Sequence, residues 1–269
     1  MGNIKKFIKS NIPIVIGMYS IYKASQDFIR LKFISFLIRI IDFIKDYLSF
    51  KVKLSKNRNR IFRIGIETLY PCLNDKSEHT PIDYTYFYQD IWFVEKILQL
   101  KPKELYDIGS SVKTLGIISR IVPVIFIDIR PPEIYLDNFK VLKGDITDLK
   151  LEDESIDIVS SLCVIEHIGL GRYGDKLNHD GDIMAIKEIK RVLKKGGIFL
   201  VSLPVDGCDT IYFNAHRAYT RDTIIEMFKD FEIIEQKYIY GNRIYDNYDK
   251  EKGFGTGLYM LRKKYYGRT

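Results

Sequence analysis

The sequence predicts an α/β fold with an open, mostly parallel sheet, and three observations support this. From about residue 84 onward, short apolar runs rich in β-branched residues alternate with helical patterns, as expected for strands joined by crossover helices. Carboxylates stand where those runs stop, at Asp107, Asp128 and Asp145. Gly109 precedes Asp128 by 19 residues. That matches the separation of ~20 at which an acid past a turn glycine meets a nucleoside ribose at the carboxyl ends of parallel strands.

Composition sets the outer limits. The 269 residues, 46% hydrophobic and 29% charged, carry enough apolar mass for one large domain with an extension. The net charge of +7 is uneven: residues 1–70 hold 14 Lys/Arg against 4 Asp/Glu, and residues 71–269 hold 28 against 31. The basic character therefore belongs to the extension, and the mildly acidic remainder argues against nucleic acid as a partner. Cys72, Cys163 and Cys208 form no C-x-x-C pair, which excludes a disulfide scaffold or zinc ribbon and suits a cytoplasmic protein with buried thiols.

Residues 1–60 read as a basic, amphipathic helical extension to a domain over 61–269. Ile12–Tyr22 is too short to span a bilayer, which takes ~20 apolar residues, and it lacks the small-residue cleavage site of a signal peptide. Phe28–Phe50 is a helix whose polar residues at 32, 35, 39, 42, 46 and 49 trace one narrow stripe. Its wide apolar face either packs on protein or lies in the plane of an anionic membrane. In the second case Lys51, Lys53, Lys56, Arg58, Arg60 and Arg63 meet headgroups on the inner membrane face.

Ile61–Leu69 reads as a short strand, and Pro71–Pro81 as a loop. Tyr84–Leu100 is a helix with Phe87, Ile91, Val94, Ile97 and Leu98 at helical spacing, ending before Pro102. Strands follow at 104–108, 124–128, 139–143, 156–161 and 197–203. Between the last two, Asp182–Lys194 is a helix lined by Ile183, Ile186, Ile189 or Val192, and Leu193. Asp180 or Asp182 caps it and Gly196–Gly197 ends it. A loop, a helix at 221–229, a strand at 231–240, a second loop and a strand at 257–263 complete seven strands.

The motifs fall in a telling order: D-I-G-S-S at the first strand, F-I-D-I-R at the second, K-G-D-I-T-D after the third. Then come I-D-I-V-S-S-L-C-V-I-E-H-I at the fourth and E-I-K-R-V-L-K-K-G-G-I-F-L-V-S-L-P into the fifth. Over roughly residues 84–263 this resembles the class I S-adenosylmethionine-dependent methyltransferases. Y-F-Y-Q-D-I-W, D-I-G-S-S, D-I-R-P, E-H-I-G-L-G-R-Y-G-D and F-N-A-H-R look like a bacterial branch known mainly as a domain of unknown function. Its members are similar to methyltransferases encoded among surface-polysaccharide genes. The resemblance implies a Rossmann-like fold and S-adenosyl-L-methionine as cofactor.

Carried onto this chain, the resemblance places Asp107, Gly109 and Ser110 at the amino-acid end of the cofactor and Asp128 on the ribose hydroxyls. Asp145 and Ile146 fall at the adenine, and Ser161 to Cys163 near the methionine portion. The family's D-x-G-x-G is here D-I-G-S-S, without the second glycine that lets backbone approach a ligand. That departure motivates an alternative: a non-catalytic, membrane-peripheral binding or scaffold protein keeping the fold. A dinucleotide is disfavoured, because its pyrophosphate needs G-x-G-x-x-G at a helix N-terminus, and the glycine after Gly109 is Gly116.

A hydroxyl acceptor must lose a proton, and histidine is the natural base near neutral pH. His167, directly after the fourth strand, is the first candidate and His216 the second. Glu166 is placed to orient a base or bind a substrate hydroxyl, and His179 reads as a cap for the next helix. The polar loop 169–182, with Arg172, Tyr173 and Asp175, suits a small-molecule or saccharide acceptor. Asp175, Asp180 and Asp182 lack calcium-loop spacing, so no metal is expected.

Overall fold

The structure, a computed structural model, describes residues 32–55 and 62–265. The chain divides into two compact units, Met1–Pro81 and Ile82–Thr269. The expected boundary at 60/61, the segment Ile12–Tyr22 and the basic residues Lys56, Arg58 and Arg60 lie outside the described residues.

In the first unit, residues 32–55 form helix α1. Its apolar side chains are not covered: Phe33, Phe36, Leu37, Ile41, Ile44, Leu48 and Phe50 are among the exposed large hydrophobics. The strand expected at 61–69 is absent among the described residues there. Ile66–Thr68 is a single 3-10 turn, closed by Thr68 and Gly65 bonding to each other. Among the described residues no helix is long and apolar enough to cross a membrane.

The second unit is the Rossmann-like α/β domain. Asp83 caps helix α2 (Tyr84–Leu100) by accepting from the Tyr86 amide, and Lys101 ends it in a left-handed conformation before Pro102. Its buried face is Gln89, Trp92, Phe93, Lys96 and Ile97, whereas Phe87, Ile91 and Leu98 are exposed. The helix is apolar nearly all round, so spacing alone does not select the face that packs.

There follow β1 (Leu105–Ile108), α3 (Val112–Ile118), β2 (Val124–Asp128), β3 (Phe139–Lys143), β4 (Ile156–Leu162), α4 (Gly181–Val192) and β5 (Leu193–Val205). Next come β6 (Thr210–Tyr212), β7 (His216–Ala218), α5 (Arg221–Met227), β8 (Phe231–Tyr240), β9 (Arg243–Tyr245) and β10 (Gly255–Lys263). The main sheet has eight strands in the order β3-β2-β1-β4-β5-β10-β8-β9. The first five are parallel; β10 runs antiparallel between β5 and β8. The expected count of seven is one short because the presumed loop after β8 turns back as β9. The β2–β3 and β3–β4 connections carry no helix, so the alternation is less complete than the sequence pattern suggests.

Side chains on each strand alternate between two cores, one per sheet face. Ile108, Ile127, Val159, Phe199 and Val201 pack with Ile186, Ile189 and Val192 of α4. Leu105, Phe126, Ile158 and Leu200 pack with Trp92 and Phe93 of α2 and Leu115 and Ile118 of α3. Ile183 is left exposed, and Ala185 takes the place expected for it.

Helix α4 stops at Val192, before the expected Gly196–Gly197. Ile156 pairs with Leu193 and Ile158 with Ile198, so residues 194–197, with Gly196 at φ 75°, form a bulge inside β5. Asp180 holds the N-cap position without a side-chain cap bond. The Asp182 carboxylate instead accepts from Tyr219 Oη at 2.8 Å and from the Ile183 amide. Burial was the expectation for all three thiols, yet Cys72 and Cys208 are exposed and Cys163 is half-buried.

Candidate active site

Strand order reverses between β1 and β4, and in such sheets the crevice beyond the carboxyl ends of those strands is where ligands sit. Two cavities meet there. The first is lined by Gly109, Ile127, Asp128, Arg130, Asp145 and Ile146, among others. The second, about 920 Å³, is lined by Asp90, Ser110, Ser111, Glu166, Arg172, His216 and Phe254, among others. Gly109, Cys163, His167 and Tyr173 line both.

The turn after β1 is held by hydroxyls. Asp107 is fully buried and lines neither cavity. Its carboxylate accepts from the Ser110 amide (3.0 Å), from Ser110 Oγ (2.8 Å) and from Ser160 Oγ. Burial pushes its pKa up to about 6 against these donors. Asp107 thus shapes the turn. Ser110 Oγ also accepts from the Leu162 amide (2.8 Å), linking the tips of β1 and β4. Ser111, at the position of the missing glycine, sits at φ −61°, where a β-carbon costs nothing.

Gly109 is different: φ is +75°, and a β-carbon there would come within 2.9 Å of Val164 Cγ1. Gly109→Ala is expected to destabilise the domain by ~1–3 kcal/mol through left-handed strain, lowering the thermal midpoint followed by circular dichroism. An unchanged midpoint would show that the turn relaxes freely.

At the tip of β2, one oxygen of Asp128 accepts from the Arg130 amide at 2.6 Å; the other has no hydrogen-bond donor among the described residues. Asp145 accepts from the amide and hydroxyl of Thr147, with Ile146 buried beside it. Ser161, by contrast, is turned inward, its hydroxyl donating to the Ile108 carbonyl. Cys163 stands at φ 54° with its thiol on Gln89 Oε1 (3.1 Å). Burial holds the Cys163 pKa above that of a free thiol.

His167 lies in a 3-10 turn, Ile165–His167, where the two cavities join. Its Nδ1 is 2.6 Å from the Ala215 carbonyl. A carbonyl only accepts, so Nδ1 carries the proton and Nε2 is left with a lone pair. Burial pulls the His167 pKa down to about 4, and the ring is neutral near pH 7. Glu166 lies 3.7 Å from Nε2 through Oε1; burial lifts its pKa to about 8. Glu166 Oε2 and Asp90 Oδ1 are buried without a hydrogen-bond partner, and both residues line the second cavity.

The guanidinium carbons of Arg130 and Arg172 lie 4.3 and 5.1 Å from the centre of the Tyr173 ring. Asp175 accepts from the amides of Gly169, Gly171 and Tyr173. Burial alone would raise its pKa, but these donors hold it below the usual carboxylate range. His179 is exposed, 3.4 Å from Asp180, and lines neither cavity. Among the described residues no group of three or more His, Cys, Asp or Glu could hold a metal ion.

Three residues emerge only from the structure. Gln89 accepts from Ser202 Oγ (2.6 Å) as well as from Cys163, and Asp90 accepts from Thr114 Oγ1 (2.7 Å). Arg217 is buried and donates to the Ile168 carbonyl (2.7 Å) and the His179 carbonyl (3.1 Å). All three lie inside the motifs Y-F-Y-Q-D-I-W and F-N-A-H-R, which were the only signal of their importance.

Comparisons with known proteins add two findings. A family model described as "Caenorhabditis protein of unknown function, DUF268" matches residues 140–246, less than half of the chain, beginning after β2. Its description mentions neither bacteria nor polysaccharide genes, so the bacterial, polysaccharide-linked branch is not what this match identifies.

Among solved structures, the chain is similar to a Burkholderia thailandensis 1,6-didemethyltoxoflavin-N1-methyltransferase with bound S-adenosylhomocysteine. Identity is 14%, over 69% of this chain and 93% of that one, with a TM-score of 0.48. It is also similar to a S-adenosylmethionine-dependent methyltransferase of Methanosarcina mazei (14%, 64% and 97%, TM-score 0.46). The [4+2]-cyclase SpnF is a third (14%, 60% and 74%, TM-score 0.44). The reaction has to be argued from this chain's own residues.

Proposed function

We propose that the chain is an S-adenosylmethionine-dependent methyltransferase acting on a hydroxyl of a small polar acceptor, with a saccharide as the favoured class. The observation that carries this reading is His167, neutral, with Nε2 bare where the two cavities join. The first cavity suits a nucleoside: Asp128 would accept from the ribose and Asp145 with Ile146 would meet the adenine. The second carries the unpartnered Asp90 oxygen, a natural mate for an ammonium group.

When bound, the cofactor supplies an electrophilic methyl carbon on a positively charged sulfur. His167 would take the acceptor's proton on Nε2, and the Ala215 carbonyl would steady the imidazolium that results. Glu166, protonated near neutral pH, offers an O–H to an acceptor oxygen. Positioning of this kind can supply ~7–11 kcal/mol of a barrier. Calorimetric titration with S-adenosylhomocysteine tests the reading: saturable binding is expected, and none at millimolar ligand removes it.

Independently, α1 supports peripheral contact with an anionic membrane. Its exposed apolar residues are followed by Lys51 and Lys53, with Arg63 further on, each basic residue worth ~1 kcal/mol at such a surface. The full chain should float with phosphatidylserine vesicles at low salt and release at high salt. A chain that stays at the bottom of the gradient in both excludes this contact.

A further inference from the structure

One wall of the second cavity is aromatic, and of its rings only His216 lies in a motif read from the sequence. The β6–β7 hairpin and the residue before β10 bring three rings together. Tyr212 and His216 are 5.1 Å apart between centres, His216 and Phe254 are 5.3 Å apart, and Tyr212 and Phe254 are 6.2 Å apart. His216 and Phe254 line the cavity, with the His216 ring 6.4 Å from that of His167. Tyr212 adjoins both without lining the cavity, its hydroxyl donating to Asp206 Oδ2 at 3.0 Å. Phe254 is 50% exposed and Tyr212 42%. Clustered large aromatics left open at a cavity mouth mark a binding surface.

The angles between the rings restrict the ligand. The planes meet at 51°, 41° and 88°, so they form a faceted wall and not the parallel slot that would clasp a flat aromatic ring. Elsewhere the cavity presents hydrogen-bonding groups, with Glu166 and Arg172 in its lining. An apolar, puckered face on one side and hydroxyls on the other are the two properties of a pyranose.

Building on the methyltransferase reading above, we infer that Phe254 and His216, braced by Tyr212, form the platform on which one face of a saccharide acceptor lies, turning a hydroxyl toward His167. Phe254 is the specificity-determining contact and Tyr212 a positioning residue.

The test uses the full chain saturated with S-adenosylhomocysteine and saturation-transfer NMR against a panel of methyl hexosides, 6-deoxyhexosides and hexuronides, with phenol as the flat competitor. At least one glycoside should show saturation concentrated on the C–H protons of one ring face. That signal should fall about fivefold or more in Phe254→Ala, the size of a lost ring contact, and persist in Phe254→Tyr, while cofactor affinity is unchanged in both. Tyr212→Leu should weaken the signal less than Phe254→Ala. Saturation of phenol alone, of no glycoside, or of glycosides equally in wild type and Phe254→Ala overturns the platform while leaving methyl transfer standing. Failure of the wild type to bind S-adenosylhomocysteine overturns the reading beneath it.

Discussion

Asp128→Ala is expected to weaken S-adenosylhomocysteine by ~10²–10⁴-fold. Hydrogen bonds to a charged acceptor contribute ~1.5–3 kcal/mol each, a ribose offers two hydroxyls, and each 1.4 kcal/mol is about tenfold in affinity. The geometry makes the assignment specific. One Asp128 oxygen is pinned by the Arg130 amide, which aims the carboxylate over the tip of β2 and leaves the second oxygen to a ligand. The fold should survive, because the side chain is only half-buried and its removal costs one turn hydrogen bond, ~0.5–1.5 kcal/mol. Calorimetry reads the affinity and thermal melting the integrity. An unchanged dissociation constant in a folded variant would take the ribose away from Asp128.

His167→Ala is expected to lower turnover at saturating donor by ~10²–10⁴-fold, the usual contribution of a positioned general base. The pH profile separates this role from a structural one. The base must be neutral, and burial lowers its pKa to about 4, so the acidic limb of the wild-type rate should lie near pH 4 and not near the ordinary 6.5. Stability follows with the same sign. Between 6.5 and 4 the unfolded chain binds a proton that the folded site resists, so this contribution is complete above 6.5 and is lost as pH falls toward 4. An acidic limb at 6.5 that persists in His167→Ala would place the base elsewhere.

The elements legible in the sequence were those that local pattern determines. Strands β1 to β5 announce themselves as short runs rich in aliphatic residues; β1, β2, β4 and β5 are largely buried, whereas β3, at the sheet edge with two lysines, is mostly half-buried or exposed. Asp128, Asp145 and His167 could be named because each ends or follows such a run. Patterns failed where a distant partner decides. Nothing local tells that Asp107 spends its carboxylate on Ser160, 53 positions away, or that Ser161 turns inward to the Ile108 carbonyl. Strands β6, β7 and β9 have three residues each, too few to show a period. The residue that departs from the family motif is not strained: Ser111 has an ordinary backbone conformation, and its neighbour Ser110 supplies the hydroxyl that ties two strands together.

Arg217 has a consequence for how the site responds to its occupant. Through the carbonyls of Ile168 and His179 it fastens the β6–β7 hairpin to the segment that carries His167. The same hairpin supplies both the Ala215 carbonyl behind the imidazole and the His216 ring. The aromatic wall and the proton acceptor therefore belong to one mechanical body. On the proposed assignment, a molecule that pushed the hairpin aside would also draw the Ala215 carbonyl off Nδ1. The seating of an acceptor against the hairpin and the readiness of the base would then be one property of the site.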